Sequence, residues 1–371
     1  MRTPEMFISG IGVHLPDTVS IEAAVADGRY PAKLVDLHGL AGVAVAGDTP
    51  APDMALRAAA LALARAARPP ADLDLLVYAH SWHQGPDGWL PQYYLQRHLT
   101  GGAPLAVDLH GCNGMFLALE LAASYLTARP DRHTALLVAA DNFGTALIDR
   151  WQGGGASYVM GDAGSAVVLT TRPGFARLLA VRTVAIPEAE ELQRAGEPLF
   201  PPGVTVGRSV DFVARGDAFQ KQLAESGDLA ALARIGGEVN DLAHLTLAEC
   251  GLAIGDIKRI ATMNCARPVT ERLMASFGRD LADSVFDWGR TVGHLGASDQ
   301  VAALDHLVAT GQVGPGDRVL MLGVGPGVVV SCAVIEIVAV PAWAACPDAG
   351  PRHGDHGDHG DHGDHGTEAS L

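Results

Sequence analysis

Leu105-Ala-Val-Asp-Leu-His-Gly-Cys-Asn-Gly114 joins a short apolar strand pattern, Leu105–Leu109, to a long alanine-rich helix pattern, Asn113–Ala128. Cys112 therefore falls at a strand–turn–helix junction. A helix N-terminus presents unpaired backbone N–H groups and the positive end of the helix dipole, and both favour a charged sulfur. Working outward, two later segments carry side chains that can assist a thiol. They are Met263-Asn264-Cys265-Ala266-Arg267 and Gly293-His294-Leu295-Gly296-Ala297-Ser298-Asp299. An imidazole beside a thiol can activate it, or can deprotonate an incoming alcohol or amine. Asp299 suits orientation of His294, giving Cys–His–Asp character; a plain aspartate at a helix start reads equally well. Asn264 has a capping reading beside its catalytic one. Cys250, Cys265 and Cys332 read as buried thiols, with Cys265 close enough in sequence to Asn264 to line a pocket.

The rest of the composition bounds the classes. The chain has 371 residues, 48% of them hydrophobic, which is ample for a large core. A net charge of −16 disfavours nonspecific nucleic-acid binding, which needs basic stripes. The five cysteines are odd in number and form no C-x-x-C pair, and no secretory leader pattern opens the chain, so a cytoplasmic location is expected. Leu320–Val340 comes nearest to a membrane span, but Gly, Pro and Glu336 interrupt it, so no membrane partner is expected. Residues 343–371 form a tail whose His-Gly-Asp repeat, His353 to His365, has no core to make and reads as disordered.

Strands are expected at Phe7–Leu15, Leu73–Ala79, Leu105–Leu109, Ala135–Ala140, Leu178–Ile186, Arg259–Met263, Arg318–Leu322 and Val328–Val338. Helices are expected at Met54–Ala67 (capped by Asp53), Pro91–His98, Asn113–Ala128, Pro268–Phe277 and Ala297–Ala309. A further helical stretch, Asp217–Gly251, is expected to break near Gly236-Gly237, after an irregular insert at 187–215. Gly161-Asp162-Ala163-Gly164 reads as a tight turn between strands Tyr158–Met160 and Ala166–Thr170. This alternation in both halves indicates an α/β protein, plausibly duplicated.

Four motifs now occur in order: Val107-Asp-Leu-His-Gly-Cys-Asn-Gly114, Met160-Gly-Asp-Ala-Gly-Ser-Ala-Val-Val-Leu169, Gly293-His-Leu-Gly-Ala-Ser298 and Gly323-Val-Gly-Pro-Gly-Val-Val-Val-Ser331. Together they resemble ketoacyl-acyl-carrier-protein synthase III and its relatives in the thiolase superfamily, from about Phe7 to Val338. The resemblance implies a thiolase-like fold of two duplicated halves, 1–175 with the nucleophile and 176–342, in a layered α-β-α-β-α arrangement. It also implies a homodimer. Cys112 matches the residue that takes the acyl group as a thioester. The N–H groups of Cys112 and Gly325 match the oxyanion hole; Pro326 has no N–H to offer.

The family's histidine, in His-Gln-Ala-Asn, corresponds to Asn264, and its asparagine, in Gly-Asn-Thr-Ser-Ala-Ala-Ser, corresponds to His294. The two residue types stand exchanged. In condensing relatives they hold the thioester carbonyl of a malonyl unit while it loses carbon dioxide. Divergent relatives instead move an intact acyl group to a hydroxyl or amine, often in antibiotic-type pathways. Intact transfer is the function expected here, from acyl carrier protein or acyl-CoA. Decarboxylative condensation is the alternative, and a non-catalytic homologue the second. No tightly bound cofactor is implied beyond the phosphopantetheine thioester of the donor. Arg150 and Arg267 stand where coenzyme A or a phosphopantetheine phosphate is met, although residues 29–45 lack the family's basic, tryptophan-bearing stretch, which favours a carrier protein. His80-Ser-Trp-His83 follows a core strand where relatives line the acyl pocket or dimer interface; with no third ligand at suitable spacing it is not expected to bind metal. His110 reads as a site residue or as a packed histidine.

Overall fold

The computed structural model describes residues 1–100, 104–199, 209–227 and 230–344. Cys346 and the His-Gly-Asp repeat lie outside the described residues. The strands are β1 (Arg2–His14), β2 (Thr18–Ser20), β3 (Gly42–Ala44), β4 (Leu75–His80), β5 (Leu105–His110), β6 (Thr134–Asp141), β7 (Ala163–Thr170), β8 (Ala176–Ala185), β9 (Arg259–Ala261), β10 (Arg318–Gly325) and β11 (Val329–Ile337).

Duplication is visible in how these strands pair. In the first half β1 runs antiparallel to β7, β7 antiparallel to β6, and β6 parallel to β4. In the second half β8 runs antiparallel to β11, β11 antiparallel to β10, and β10 parallel to β9. The first half adds β5, parallel to β4, as an outer strand. Antiparallel pairing of β1 with β8 joins the halves into one nine-stranded sheet, ordered β5-β4-β6-β7-β1-β8-β11-β10-β9.

Helices cover the sheet in layers. Gly114–Thr127 and Asp299–Ala309 bury apolar faces in one cluster with residues from both halves, Met6, Leu137, Leu178 and Met321 among them. These are the two central helices: Gly114–Thr127 is apolar on nearly every side, as double-sided burial requires, and Asp299–Ala309 buries eight of its eleven residues. Ala51–Arg65 packs outside the first half, so closely that a Cβ on Gly12 of β1 would fall 2.1 Å from the Ala58 carbonyl oxygen. Ala230–Glu249 and Arg267–Ser276 cover the outside of the second half. Truncating a central leucine such as Leu119 or Leu304 should cost about 2–5 kcal/mol.

Several local expectations need correction. The helix expected from Met54 begins at Ala51, with Pro50 rather than Asp53 at the cap; Asp53 accepts from the Tyr94 hydroxyl instead. Tyr158–Met160 is not a strand: Met160 makes one isolated bridge, to His294, and β7 already starts at Ala163. The helical stretch breaks at Gly227, whose φ of 73° ends Phe212–Ser226, whereas Gly236 and Gly237 sit inside Ala230–Glu249. A left-handed glycine terminates a helix more effectively than two glycines whose helix is packed on one side. Among the described residues no helix is long and apolar enough to cross a membrane.

Candidate active site

The strand–turn–helix junction forms as the sequence requires. β5 ends at His110, and Gly111 turns the chain with its N–H on the His80 carbonyl at 2.8 Å. Asn113 precedes the helix Gly114–Thr127. Its side-chain amide reaches the second half, donating to the Val329 carbonyl at 2.7 Å, the Ser331 hydroxyl at 3.0 Å and the Gly323 carbonyl at 3.3 Å. Cys112 is thereby held, half-buried, where the helix of one half meets the β10–β11 turn of the other. Gly325 lies at that contact: a Cβ on it would be 3.1 Å from the Asn113 backbone nitrogen.

His294 arrives from the second half. Its backbone is fixed on both sides, N–H to the Val159 carbonyl and carbonyl to the Gly161 N–H, each at 2.8 Å. Its Nδ1 is 2.5 Å from Asp299 Oδ2, and Cys112 is near enough to act on the charge of the ring. With Nδ1 on the aspartate, Nε2 is the nitrogen that faces the thiol. Asp299 is fully buried, and its two oxygens accept four bonds: from His294, the Leu295 N–H, and the backbone and side-chain nitrogens of Asn264. Burial pulls the His294 imidazole down, but Asp299 and Cys112 outweigh it and hold the group well above 6.5. The Tyr158 ring packs edge-on to the imidazole, with centroids 4.9 Å apart. Burial, and then proximity to Cys112 and Cys265, raises the Tyr158 phenol.

Cys112, His294 and Asp299 thus come together, and Asn264 joins them differently from its counterparts' expected use. Its side-chain nitrogen spends both hydrogens, on Asp299 Oδ1 and on the Gly293 carbonyl, each at 2.9 Å. It caps no helix; Ala266 holds that position. Cys265 is buried, and its thiol is pushed up by burial and then by Asp299, so it stays protonated.

Arg150 is reassigned. It is buried in a two-pronged pair with fully buried Asp162, both contacts at 2.9 Å, and donates also to the Met160 carbonyl. Both terminal nitrogens are bonded within the protein, to a carboxylate that a phosphate would have to displace. The pair explains the Gly-Asp-Ala-Gly motif: Asp162 also accepts from the Ala46 and Phe143 N–H groups and gathers the loops behind His294. Arg267 is half-exposed, stacked over Phe286 and 3.6 Å from Glu271.

Sequence reasoning missed Asp141. This buried carboxyl accepts from Ser81, Trp82 and Ala297 N–H groups, tying the loop after β4 to the loop of His294. Gly296 is glycine because a Cβ there would fall 2.0 Å from Asp141 Oδ2, at a φ of 58°. The signal was the aspartate closing an otherwise apolar strand.

Two hollows adjoin the site. One, of ≈ 590 Å³, is lined by His80, Trp82, Asp108, His110, Phe212 and Pro326, among others. The second, of ≈ 430 Å³, is an apolar groove between the helices Ala230–Glu249 and Arg267–Ser276 that ends on Cys265 and Gly323. Among the described residues no group of three His, Cys, Asp or Glu side chains is placed to hold a metal ion.

Comparison with known proteins agrees with this fold. The family profile described as 3-oxoacyl-[acyl-carrier-protein] synthase III matches residues 108–185, and that of its C-terminal part matches residues 247–337. The β-ketoacyl-[acyl-carrier-protein] synthase III of Rhodobacter capsulatus is 26% identical over 343 residues, covering 89% of this chain and 98% of its own. The solved structure of ChlB3, an acyltransferase, is 55% identical, with a TM-score of 0.86 over 91% of this chain and 99% of that one. The synthase III of Pseudomonas aeruginosa PAO1 shares the fold at 21% identity, with a TM-score of 0.72 over 90% of this chain and 99% of its own. The chain therefore belongs to the 3-oxoacyl-[acyl-carrier-protein] synthase III-like family of the thiolase superfamily, with an acyltransferase among its relatives.

Proposed function

We propose that the protein is an acyltransferase that loads an acyl group onto Cys112 and passes it, with no loss of carbon dioxide, to a hydroxyl or amine. One observation carries this reading. His294 is backed by Asp299 and stands near enough to Cys112 for the two to act on each other's charge, while both side-chain hydrogens of Asn264 are spent inside the protein. A decarboxylating condensation calls for two donors aimed at the developing enolate. Only His294 remains to supply one, and a base beside the nucleophile suits transfer to an O–H or N–H.

In the first step Cys112 Sγ attacks the donor thioester carbonyl, its proton passing to His294. The carbon–sulfur bond to the donor breaks, and the leaving thiolate takes that proton from His294. In the second step His294 accepts the proton of the attacking hydroxyl or amine, the bond to Sγ breaks, and the proton returns to sulfur. The N–H groups of Cys112 and Gly325 stabilise the oxyanion in both steps. The apolar groove ending on Cys265 suits the pantetheine arm of an acyl carrier protein or acyl-CoA, and half-exposed Arg267 at the start of its bordering helix suits the phosphate. Strand β5 ends the sheet with Leu105 half-exposed, an edge suited to a second copy in a homodimer. Free thiols at all four described cysteines fit a reducing cytoplasm.

The test is intact mass after incubation with acyl-loaded carrier proteins, malonyl included, with Cys112→Ala as control. We expect a gain of one complete acyl group on the wild type alone, released by alcohol or amine acceptors. Carbon dioxide release from malonyl donor with formation of a condensed product would overturn the reading in favour of condensation.

A further inference from the structure

Tyr158 stands in the site without a task in the transfer mechanism. The residues on either side of it are tied to the two loops that supply Asn264 and His294. The Ser157 carbonyl accepts from the Ala266 N–H at 2.6 Å, and the Val159 carbonyl from the His294 N–H at 2.8 Å. Its ring is confined as well. It meets the His294 imidazole with centroids 4.9 Å apart and planes at 66°, and it packs against the Phe143, Ile148 and Met160 cluster. It also lies so close to the Gly154 backbone that a Cβ there would fall 2.6 Å from Tyr158 Cδ2. Cys112 and Cys265 are near enough for their charges to act on the phenol, and Cys265 is where the apolar groove ends. Nucleophile, base and groove thus meet at this ring. Its hydroxyl has no hydrogen-bond partner among the described residues. Burial and the two thiols keep it protonated, so it is available as a donor.

Attack on an acyl-cysteine requires the incoming atom to be held in line as well as deprotonated. His294 accounts for the proton, but a single contact leaves the acceptor free to turn about it. A hydroxyl oxygen has two lone pairs. One attacks the carbonyl carbon, and the other can accept a hydrogen bond. Asn264 cannot give that bond, because its side-chain hydrogens are spent on Asp299 and the Gly293 carbonyl.

We propose that the Tyr158 hydroxyl supplies the second contact: it donates a hydrogen bond to the oxygen of an acceptor hydroxyl while His294 removes that oxygen's proton. The proposal rests on the acyl-cysteine reading above. Tyr158 keeps its own proton throughout. The carbon–oxygen bond forms, the carbon–Sγ bond breaks, and the acceptor's proton reaches sulfur through His294. An amine has one lone pair, which the attack consumes, and a thiol sulfur accepts hydrogen bonds only weakly. The phenol therefore favours a hydroxyl over both.

The test uses full-length protein loaded on Cys112 from butyryl-pantetheine or a butyryl carrier protein. Loss of the butyryl mass is followed after addition of ethanol, ethylamine or free pantetheine. Tyr158→Phe keeps the ring against His294 and removes only the hydroxyl. We expect it to slow release to ethanol by about tenfold or more, and to leave return to pantetheine within about twofold of the wild type. A purely structural role would slow both alike. Three results overturn the proposal and leave the transfer reading standing: equal ethanol rates in wild type and Tyr158→Phe, equal slowing for ethanol and pantetheine, or release to ethylamine but not to ethanol. Protein that takes no butyryl group, or that releases it to neither ethanol nor ethylamine, overturns both. So does carbon dioxide release from malonyl-pantetheine that Tyr158→Phe abolishes, which would make the phenol the second donor of a condensation.

Discussion

Two histidine–aspartate pairs flank Cys112, one from each half, and they differ in what they leave free. His294 spends Nδ1 on Asp299 and keeps its other nitrogen free, with Cys112 near. His80 spends Nδ1 on the Trp82 carbonyl and Nε2 on Asp108, so no nitrogen remains to take a proton. A general base needs a lone pair aimed at its target. The same two residue types therefore make a base in one half and a fixed cation in the other. What separates them is a backbone carbonyl, placed by the loop after β4. The role of a histidine is set by the partner of its second nitrogen, which pairwise residue counting does not see.

The sharpest way to break the comparison is to remove each histidine. His294→Ala should lower kcat/KM for acyl transfer by about 10³–10⁴, as loss of a base from a nucleophile–base pair does. Asp299→Asn should come next, at roughly 10²–10⁴, because the wrong imidazole tautomer then faces sulfur. The pH profile separates orientation from simple damage. Asp299 is the chief group holding His294 above 6.5, so its loss lets burial win and the imidazole titrates lower. Alkylation of Cys112 by iodoacetamide, followed against pH, should shift its profile in Asp299→Asn and keep it in the wild type. Linkage has a matching sign. A histidine raised on folding contributes stability that is full below about pH 6.5 and is lost as pH rises through its folded value. The stability gap between wild type and His294→Gln should therefore narrow from about pH 6 upward.

Behind His294 stands the Arg150–Asp162 pair, and removing one partner tests whether it serves structure alone. Arg150→Met leaves the Asp162 carboxylate buried without its cation. Chemical denaturation should record a loss of about 3–5 kcal/mol. The Michaelis constant for the donor should move little beyond what the loss of folded protein explains, since both terminal guanidinium nitrogens are already bonded within the protein. A selective rise for coenzyme A thioesters over their phosphate-free pantetheine analogues would return Arg150 to the binding site.

How much of this was legible follows the range of the interaction. The Cys112 junction was readable because strand, turn and helix are consecutive and each has its own pattern. The exchange of histidine and asparagine was expected because each stands in its own motif. That Asn264 has no hydrogen left to offer was not, since it depends on the Gly293 carbonyl, 29 residues away. Arg150 and Asp162 were each noticed, but nothing in their spacing says that both are buried and face each other. The fused sheet was hidden for the same reason: β1 and β8 pair across more than 170 residues, as Arg2 with Ala180 does. Periodicity reports what a segment buries, and pairing adds what it buries against.

The smallest expected effect is at His80, and it is the one that tests the comparison itself. If His80 only holds Asp108 and the Trp82 carbonyl in place, His80→Gln keeps a donor for Asp108 and should lower kcat/KM by about tenfold or less, with about 1 kcal/mol lost from stability. Burial then loses its ally at His110. With the neighbouring cation gone, His110 should titrate higher, because His80 is one of the groups holding it down. A proton NMR titration of the histidine ring signals in His80→Gln reads that shift directly. A fall in rate as large as that of His294→Ala would mean that His80 exchanges protons with the substrate, and the division of labour between the two pairs would be wrong. A small fall with an upward shift at His110 leaves one base and one fixed cation, with the nucleophile between them.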